Sequence, residues 1–428
     1  MCSATKPPAP IILHGNNFDT NRGCQALRLT TQAILDRYLP AHPRLHANIF
    51  CNEDPQFYEQ EPDPKSAGQI WETHHRGGPF FYGWGAGVLA ARLFGRFPRM
   101  RVHRCLDHAS ALLLLGGDNL SFDYGFLATL LFFSPLQAAL QRNTPTVIWG
   151  ASIGPFSSRP KWEKRFAKLL HQVDLITVRE PLTQQYLAKL GIAHNVERVV
   201  DPAFLLPPEP TELPSHISHA LAQGAIGINL APIMTRYNRS SSRKWLDTCC
   251  RMLSEVRQQV RVPLLLIPHV MMSPRTFPDN DDYQFMKAIL ARLSPSHREG
   301  IHLYDARRHT SKQIKWVISQ LRVFAASRLH ASIAGLSSGV PTFSVGYGVK
   351  SEGLHRDIFG HTEWIADTSE INPKEFANRL LRLFHQEVEV RHCLQSVLPD
   401  YSEMAWRNGA VMRDNLNRRR ACPQETCL

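Results

Sequence analysis

The amino-acid sequence predicts an α/β protein with parallel sheets, divided into two domains. Short apolar runs alternate repeatedly with stretches of helical periodicity along the 428 residues, and such alternation is typical of βαβ units. The runs are apolar throughout instead of alternating with polar residues, which indicates parallel strands buried on both faces. The length favours two domains, because a domain typically holds roughly 100–200 residues.

The predicted elements fall into two sets. Strands of the first set are predicted at residues 11–14, 111–115, 146–149, 175–178 and 197–200, with helices at 26–38, 161–171 and 181–190. Strands of the second set are predicted at 226–230, 264–267, 301–304, 323–326 and 342–345, with helices at 245–260, 282–292 and 331–338. Between the sets, residues 206–214 carry four prolines, which fits neither a strand nor a helix interior and predicts a linker. The domains are therefore predicted at residues 1–207 and 208–385, followed by a helical tail at 386–428.

Charge and cysteine usage narrow the classes of function. The chain has 49 Lys and Arg against 37 Asp and Glu, a formal net charge of +12, so an anionic partner is expected. Its nine cysteines are scattered without a CxxC pair or a zinc-ligand spacing, which predicts a reduced chain without a metal. We read neither a secretion signal nor an apolar segment approaching the roughly 20 residues of a membrane span. These features predict a cytoplasmic protein, with contact at the inner face of a membrane left open.

Candidate site residues of the first domain lie where predicted strands end, the place where open α/β sheets bind their ligands. Gly15, Asn16 and Asn17 follow the first strand, where small and amide residues suit backbone contact with an anion; an ordinary βα loop is the alternative. Gly117 and Asp118 follow the second strand, where the carboxylate could accept a hydroxyl; a tight turn explains them almost as well.

The segment Gly150-Ala-Ser-Ile-Gly154 matches the GxSxG pattern of a nucleophile elbow. In that motif a helix starts at the serine, whereas here Pro155 and further loop residues come before the next predicted helix. The favoured interpretation is a turn that presents Ser152 to the ligand as a hydrogen-bond donor.

Cationic residues follow three further strands. Arg179 stands where a predicted strand gives way to a helix, Arg328 and His330 follow the strand at 323–326, and Lys350 follows the strand at 342–345. A strand–helix–strand unit forms a right-handed crossover between neighbouring parallel strands, so the last three residues should share one edge of the sheet. Two cations, an imidazole and a helix N-terminus predict binding of a doubly anionic ligand with proton transfer. A capping loop with a surface lysine is the alternative.

Taken in order, these segments resemble the polysaccharide pyruvyl transferase family. The resemblance rests on six blocks: His14-Gly-Asn-Asn with Asn21-Arg-Gly; Leu115-Gly-Gly-Asp; Ser152-Ile-Gly-Pro; Thr177-Val-Arg-Glu; Asp201-Pro-Ala-Phe-Leu-Leu; and Ser327-Arg-Leu-His-Ala with Gly339-Val-Pro and Lys350-Ser. It implies a GT-B-like fold, with two Rossmann-like domains whose parallel sheets face a central cleft. One departure is that many relatives have Asn-x-Gly-Asp where this chain has Asn21-Arg-Gly-Cys24.

The resemblance also implies an activity, the transfer of a pyruvyl group from phosphoenolpyruvate to sugar hydroxyls in exopolysaccharide or cell-envelope biosynthesis. Arg179, Arg328, Leu329 and Lys350 would bind phosphoenolpyruvate, and His330 would be the catalytic acid/base. Neither a cofactor nor a metal is needed. The acceptor is a sugar or glycan, whether free, nucleotide-linked, lipid-linked or polymeric.

Two alternatives remain open. A GT-B glycosyltransferase would place a nucleotide-sugar diphosphate on a helix N-terminus of the second domain. A non-catalytic binder of an anionic polymer would use the net charge, but it predicts basic stripes interleaved with aromatic residues. The arginines are instead scattered, so nucleic acid is not an expected partner.

Overall fold

In the computed structural model, the chain forms two compact units. The structure describes residues 8–15, 19–50, 61–73, 79–123, 125–238, 240–272, 280–346, 349–369 and 371–421. The first unit holds the described residues within Met1–Phe18, Leu27–Pro202 and Glu403–Leu428. The second holds Asp19–Ala26 and those within Ala203–Ser402.

The first unit is built on a seven-stranded sheet in which every described strand pair is parallel. Its strands are β1 (Ile11–His14), β2 (Arg44–Phe50), β3 (Ser66–Thr73), β4 (Ala111–Leu120), β5 (Thr146–Ile153), β6 (Leu175–Val178) and β7 (Val196–Arg198). The helices are α1 (Arg22–Tyr38), whose first turn belongs to the second unit, α2 (Pro79–Phe94), α3 (Phe126–Gln141), α4 (Pro160–Gln172) and α5 (Pro181–Lys189). The strand order is β3-β2-β1-β4-β5-β6-β7.

The second unit is built on a six-stranded parallel sheet of order β10-β9-β8-β11-β12-β13. Its strands are β8 (Ile226–Asn229), β9 (Leu264–Leu266), β10 (Ile301–Leu303), β11 (Val323–Ala326), β12 (Thr342–Gly346) and β13 (Ile365–Asp367). Its helices are α6 (Ser215–Ala222), α7 (Thr235–Asn238), α8 (Ser242–Gln259), α9 (Asp282–Arg292), α10 (Pro295–Arg298), α11 (Ser311–Ser319), α12 (Leu329–Leu336), α13 (Val349–Phe359) and α14 (Pro373–His385). The last helix, α15 (Glu387–Ala421), begins in this unit and ends in the first.

Both sheets have the doubly wound strand order, and the predicted α/β fold class is confirmed. In each sheet the order reverses beside the first strand, between β1 and β4 and between β8 and β11. Open α/β sheets bind ligands at such switch points, beyond the carboxyl ends of the strands. Among the described helices, none is long and apolar enough to cross a membrane.

The ten predicted strands are all present, but three others were missed. β2, β3 and β13 lie at or next to the edge of a sheet, and β2 carries Arg44 and His46, which no apolar run would reveal. The side chain of Arg44 is 1% exposed and pairs with Asp63 at 2.5 Å. A buried ion pair therefore takes the place of apolar residues in this strand.

The predicted domain limits differ from the two units. Residues 386–428 do not form a separate tail domain, because α15 contributes to both units. Within the second unit, Arg391 donates hydrogen bonds to the carbonyls of Gly339 and Arg322. Within the first, Asn408 donates to the carbonyl of Val200. Residues 19–26 also join the second unit, because backbone hydrogen bonds link Thr20 and Arg22 to residues 269–271.

Candidate functional site

Arg179 is the centre of a buried polar network in the first unit. It follows β6, and its side chain is 5% exposed. Nε donates to Ser152 Oγ at 2.9 Å, and Nη1 pairs with Asp201 Oδ2 at 2.5 Å. Burial disfavours the charged guanidinium, but the carboxylates of Asp201 and Asp118 outweigh it and raise the pKa of Arg179 above its ordinary value. Residues of three sequence blocks thus interact through Arg179, and these contacts fix the orientation of its guanidinium.

Ser152 lies within β5, not in a turn after it, so the predicted turn is wrong. The strand continues to Ile153 and is buried along its length. Ser152 Oγ accepts a hydrogen bond from Arg179 and so helps to orient the arginine. The strained strand-to-helix turn of a nucleophile elbow is also missing at this serine, since α4 begins only at Pro160.

The Leu115-Gly-Gly-Asp block likewise lies inside a strand, because β4 runs on to Leu120. The predicted strand end at 115 is therefore too early. A Cβ on Gly116 would stand 2.5 Å from the carbonyl oxygen of Gly150, so the glycine allows β4 and β5 to approach closely. Gly117 has a φ of +89°, and Asp118 is half-buried at this end of the strand.

Gly15 directly follows β1 and has a φ of +109°. A Cβ there would stand 3.1 Å from Phe132 Cε1, and the Gly15 carbonyl accepts a hydrogen bond from Asn119. Gly15 is thus explained by local packing at the switch point of the first sheet. The predicted residues Asn16 and Asn17 lie outside the described residues.

In the second unit, Arg328 follows β11 and is the N-cap residue of α12. Its Nη2 pairs with Asp282 Oδ1 at 2.7 Å and also donates to Asn280 Oδ1 at 2.7 Å. The backbone N–H of Arg328 donates to Asn229 Oδ1 at the carboxyl end of β8. The arginine predicted from sequence is thus anchored at the switch point of the second sheet.

Asp282, the first residue of α9, is the hub of this arrangement, and it was not among the residues predicted for the site. Its side chain is fully buried. Oδ1 accepts from Arg328, whereas Oδ2 accepts from the backbone N–H groups of His269 and Val270 and from Asn229. A single carboxylate therefore holds both the guanidinium of Arg328 and the backbone of the segment that follows β9 in place.

His330 lies in the first turn of α12, directly against Gly23 of α1. A Cβ on Gly23 would stand 2.5 Å from His330 Nδ1 and 2.6 Å from Cγ. The backbone N–H of Gly23 donates to Asn21 Oδ1. The Asn21-Arg-Gly block thus has a steric reason for its glycine, since any side chain there would displace the imidazole. Leu329 begins the same helix.

Arg22 and His269 belong to the same cluster and were not predicted. The backbone N–H of Arg22 donates to the His269 carbonyl at 3.0 Å, and Arg22 Nη1 donates to the carbonyl of Asp19. Burial lowers the pKa of Arg22 to about 10. Burial, followed by the nearby His330, Arg328 and Arg22, lowers the pKa of His269 well below its usual value, so this imidazole is neutral. The one sequence feature that could have indicated His269 is its position three residues after β9.

Lys350 is the second residue of α13, which follows β12; its side chain lies outside the described part of the structure. The structure therefore brings the predicted residues together as two groups. Ser152, Arg179 and Asp118 interact in the first unit, and Arg328 and His330 lie at one strand end in the second. Among the described residues, no group of three or more His, Cys, Asp or Glu side chains could hold a metal ion.

The sequence comparison decides the family. The family model described as polysaccharide pyruvyl transferase matches residues 21–349. The chain belongs to the polysaccharide pyruvyl transferase family. This match covers most of both units and includes Arg22, Gly23, Arg179, Asp282, Arg328 and His330. None of the curated proteins matches the chain in sequence.

Solved structures confirm the GT-B-like fold of this pyruvyl transferase family member. UGT71G1 of Medicago truncatula, complexed with UDP-glucose, is similar with a TM-score of 0.57 at 10% identity, covering 97% of this chain and 100% of that one. The trehalose-6-phosphate protein of E. coli bound with UDP-2-fluoro glucose has a TM-score of 0.57 at 12% identity, with 95% and 99% covered. The α,α-trehalose 6-phosphate synthase of Burkholderia multivorans has a TM-score of 0.54 at 13% identity, with 97% and 100% covered. At these identities the likeness concerns the fold alone.

Proposed function

We propose that the protein transfers a pyruvyl group from phosphoenolpyruvate to two hydroxyls of a sugar, in a glycan or a glycan precursor. The family match supports a transferase acting on a polysaccharide or its precursor. The observation that carries the choice of donor is the cluster at the β11–α12 junction. There an arginine held by Asp282 and the His330 imidazole lie at a ligand-binding strand end.

Phosphoenolpyruvate suits this cluster because it carries a carboxylate and a phosphate. A guanidinium can bind either group with two parallel hydrogen bonds. Arg328 would take one anionic group while the N–H groups at the start of α12 favour the same sign of charge. Arg179 and Lys350 would bind the donor as well, as the family resemblance implies, and Leu329 would contact its apolar methylene.

The reaction balances with one proton relay. His330 would donate a proton to the methylene carbon of the donor, which becomes a methyl group, while the central carbon gains cationic character. The first sugar hydroxyl adds to this carbon and returns its proton to His330. The second hydroxyl then attacks the same carbon, the C–O bond to phosphate breaks, and the phosphate leaves with the second proton. The scheme consumes no cofactor.

The remaining predicted residues, Gly15, Asn16, Asn17, Gly117, Asp118 and Ser152, are proposed to line the acceptor side. For two of them the structure supports an indirect role. Ser152 accepts a hydrogen bond from Arg179, and Asp118 acts on the charge of the same arginine. These two would position the arginine that binds the donor.

The decisive experiment is incubation with isotope-labelled phosphoenolpyruvate and a panel of sugar acceptors, followed by mass spectrometry of the acceptor and measurement of phosphate release. The expected result is a labelled ketal and one phosphate for each ketal formed. His330→Ala should abolish turnover while donor binding is largely kept, whereas His297→Ala, on the exposed α10, serves as the matched control. Turnover at the wild-type rate in His330→Ala would overturn the assignment of the imidazole.

A parallel binding measurement separates this proposal from a nucleotide-sugar glycosyltransferase. Thermal unfolding is followed with phosphoenolpyruvate, UDP-glucose and a GDP-sugar at equal concentrations. A ligand that binds the native state alone raises the melting temperature, and at equal concentration the tighter ligand raises it more. Stabilisation by a nucleotide sugar but not by phosphoenolpyruvate would refute the proposed donor.

A further inference from the structure

The segment from 79 to 104 combines an apolar helix with a run of arginines. It contains Arg92, Arg96, Arg99, Arg101 and Arg104 but no Asp or Glu. Its first part forms α2, in which Arg92 is the one charged residue of 16. Neither the family assignment nor the proposed reaction gives this segment a role.

The described side chains of α2 expose an apolar stripe. Tyr82, Ala86, Leu89 and Leu93 stand at positions i, i+4, i+7 and i+11, which lie along one face of a helix. Tyr82 is 67% exposed, Leu89 55% and Leu93 69%, and Phe94 beside them is 75% exposed. Of the six large apolar side chains that are exposed in the described structure, four lie on this helix. Scattered apolar residues need no explanation, but such a concentration marks a contact surface.

A basic cavity lies directly after the helix in the chain. It has a volume of about 620 Å³ and is lined by Arg99, Arg101, Arg104 and Arg142, together with His103. No acidic residue lines it, although Asp107 pairs with Arg142 at 3.2 Å. A second cavity of about 470 Å³ shares Arg101 and Arg104. Burial, with the charges of Arg142 and Arg99, lowers the pKa of His103 to about 4, so the arginines carry the positive charge here.

The helix and the cavity are joined through the edge strand of the first sheet. Both α2 and the turn at 101–104 contact β3, which is the terminal strand of that sheet. Arg101 donates from Nη1 to the carbonyl of Trp71, and its backbone N–H donates to Glu72. Ile70 of the same strand lines the second cavity. The apolar stripe and the arginines therefore belong to one edge of one unit.

We propose that this edge docks on the surface of a membrane containing anionic lipids. The α2 stripe would lie in the plane of the interface with its apolar side chains among the acyl chains, and the arginines would bind lipid phosphates. A helix that lies in the interface needs an apolar face flanked by cationic residues, and each basic residue near an anionic surface adds to the attraction. Charge complementarity selects an anionic bilayer, since the segment has five arginines and no acid.

The test is co-sedimentation of the full-length protein with vesicles of phosphatidylcholine alone and of phosphatidylcholine mixed with phosphatidylglycerol. The protein should bind the anionic vesicles, and binding should weaken with added salt because exposed charges are screened. Arg99→Gln with Arg104→Gln should weaken binding about 25-fold, at roughly fivefold for each arginine removed. Leu89→Asp with Leu93→Asp should reduce binding at least as strongly.

Matched controls separate a docking surface from general charge and apolarity. Arg243→Gln with Arg251→Gln removes the same charge from the exposed face of α8, and Val388→Asp changes an 81% exposed apolar residue on α15. Both should bind as the wild type does, and circular dichroism checks that each variant is folded.

Equal binding to neutral and anionic vesicles, or equal losses in the controls, would overturn the proposal. A shift from dimer to monomer in Leu89→Asp with Leu93→Asp, without vesicle binding by the wild type, would assign the stripe to a second copy of the chain instead. Vesicle binding requires no turnover, so its outcome is independent of the proposed reaction.

Discussion

The contact between Gly23 and His330 allows a sharp test of how the imidazole is placed. In Gly23→Ala, the added methyl group would stand 2.5–2.7 Å from Nδ1, Cγ and Cβ of His330. Ordinary contacts between such atoms are about 3.5–4.0 Å, so the ring must move by roughly 1 Å. Overpacking of this kind typically costs about 1–3 kcal/mol. Alanine regains about 1 kcal/mol over glycine within a helix, so the net loss of stability should be about 0–2 kcal/mol.

The effect on turnover should be much larger than the effect on stability. A displacement of about 1 Å in a reacting group can reduce the rate on the order of 100-fold. We therefore expect kcat for pyruvyl transfer to fall by about two orders of magnitude, while the free energy of unfolding, measured in urea, falls by at most about 2 kcal/mol. The proposed role of His330 predicts that KM for phosphoenolpyruvate changes less than kcat does.

Gly409→Ala is the matched control, because it creates a similar clash away from His330. Its Cβ would stand 2.5 Å from Ile34 Cγ2 and would also meet the ring of Tyr38. This variant should lose as much stability as Gly23→Ala, or more, and yet keep its kcat. Wild-type kcat in Gly23→Ala, or an equal loss in both variants, would refute the reasoning.

Three further predictions follow from the buried networks. Asp282→Asn should cost about 2–4 kcal/mol of stability and raise KM for phosphoenolpyruvate. Both Asp282 oxygens accept hydrogen bonds from N–H groups, so an amide nitrogen in either position would face another N–H group. Unchanged affinity for phosphoenolpyruvate, measured by calorimetry, would argue against a positioning role. Ser152→Ala should lose about 1 kcal/mol and at most about tenfold in rate, because Arg179 keeps Asp201; complete inactivation would instead favour a nucleophile. His355 is fully buried, and burial lowers its pKa to about 3. As pH falls below about 6.5, His355 takes up a proton in the unfolded chain but not in the native state. His355 alone should therefore lower the free energy of unfolding by about 1.4 kcal/mol per pH unit, and His355→Gln should reduce the total slope in urea titrations by that amount.

The central strands of both sheets could be predicted because their residues are apolar on both faces. Ile11–His14 and Val323–Ala326 match their predicted bounds. β2 could not be predicted, because its stability depends on Arg44 meeting Asp63 in the fold. The hydrophobic pattern of a sequence shows only which individual residues are apolar. It cannot show that two charged residues form a buried pair once the chain has folded.

The places of the candidate site residues in the fold were predicted in part for the same physical reason. Arg179, Arg328 and His330 follow apolar strands, and strand ends can be located from sequence. Gly23 and Asp282 act through partners far away in the chain, the first on His330 and the second on Arg328. Their roles depend on the crossover topology of the second unit, so the residue types alone gave no signal.

The two arginines predicted to attract the donor are each paired with a buried carboxylate, Arg179 with Asp201 and Arg328 with Asp282. Each pair carries no net charge, so what these arginines supply is a guanidinium held in one direction. A donor with two anionic groups then needs uncompensated positive charge from elsewhere, such as the helix N-terminus at α12 and the residues around it. Part of the basic excess of the chain lies elsewhere. The stretch 79–104, which holds five arginines and no acid, lies on an edge of the first unit, where it suits a large anionic surface better than a small substrate.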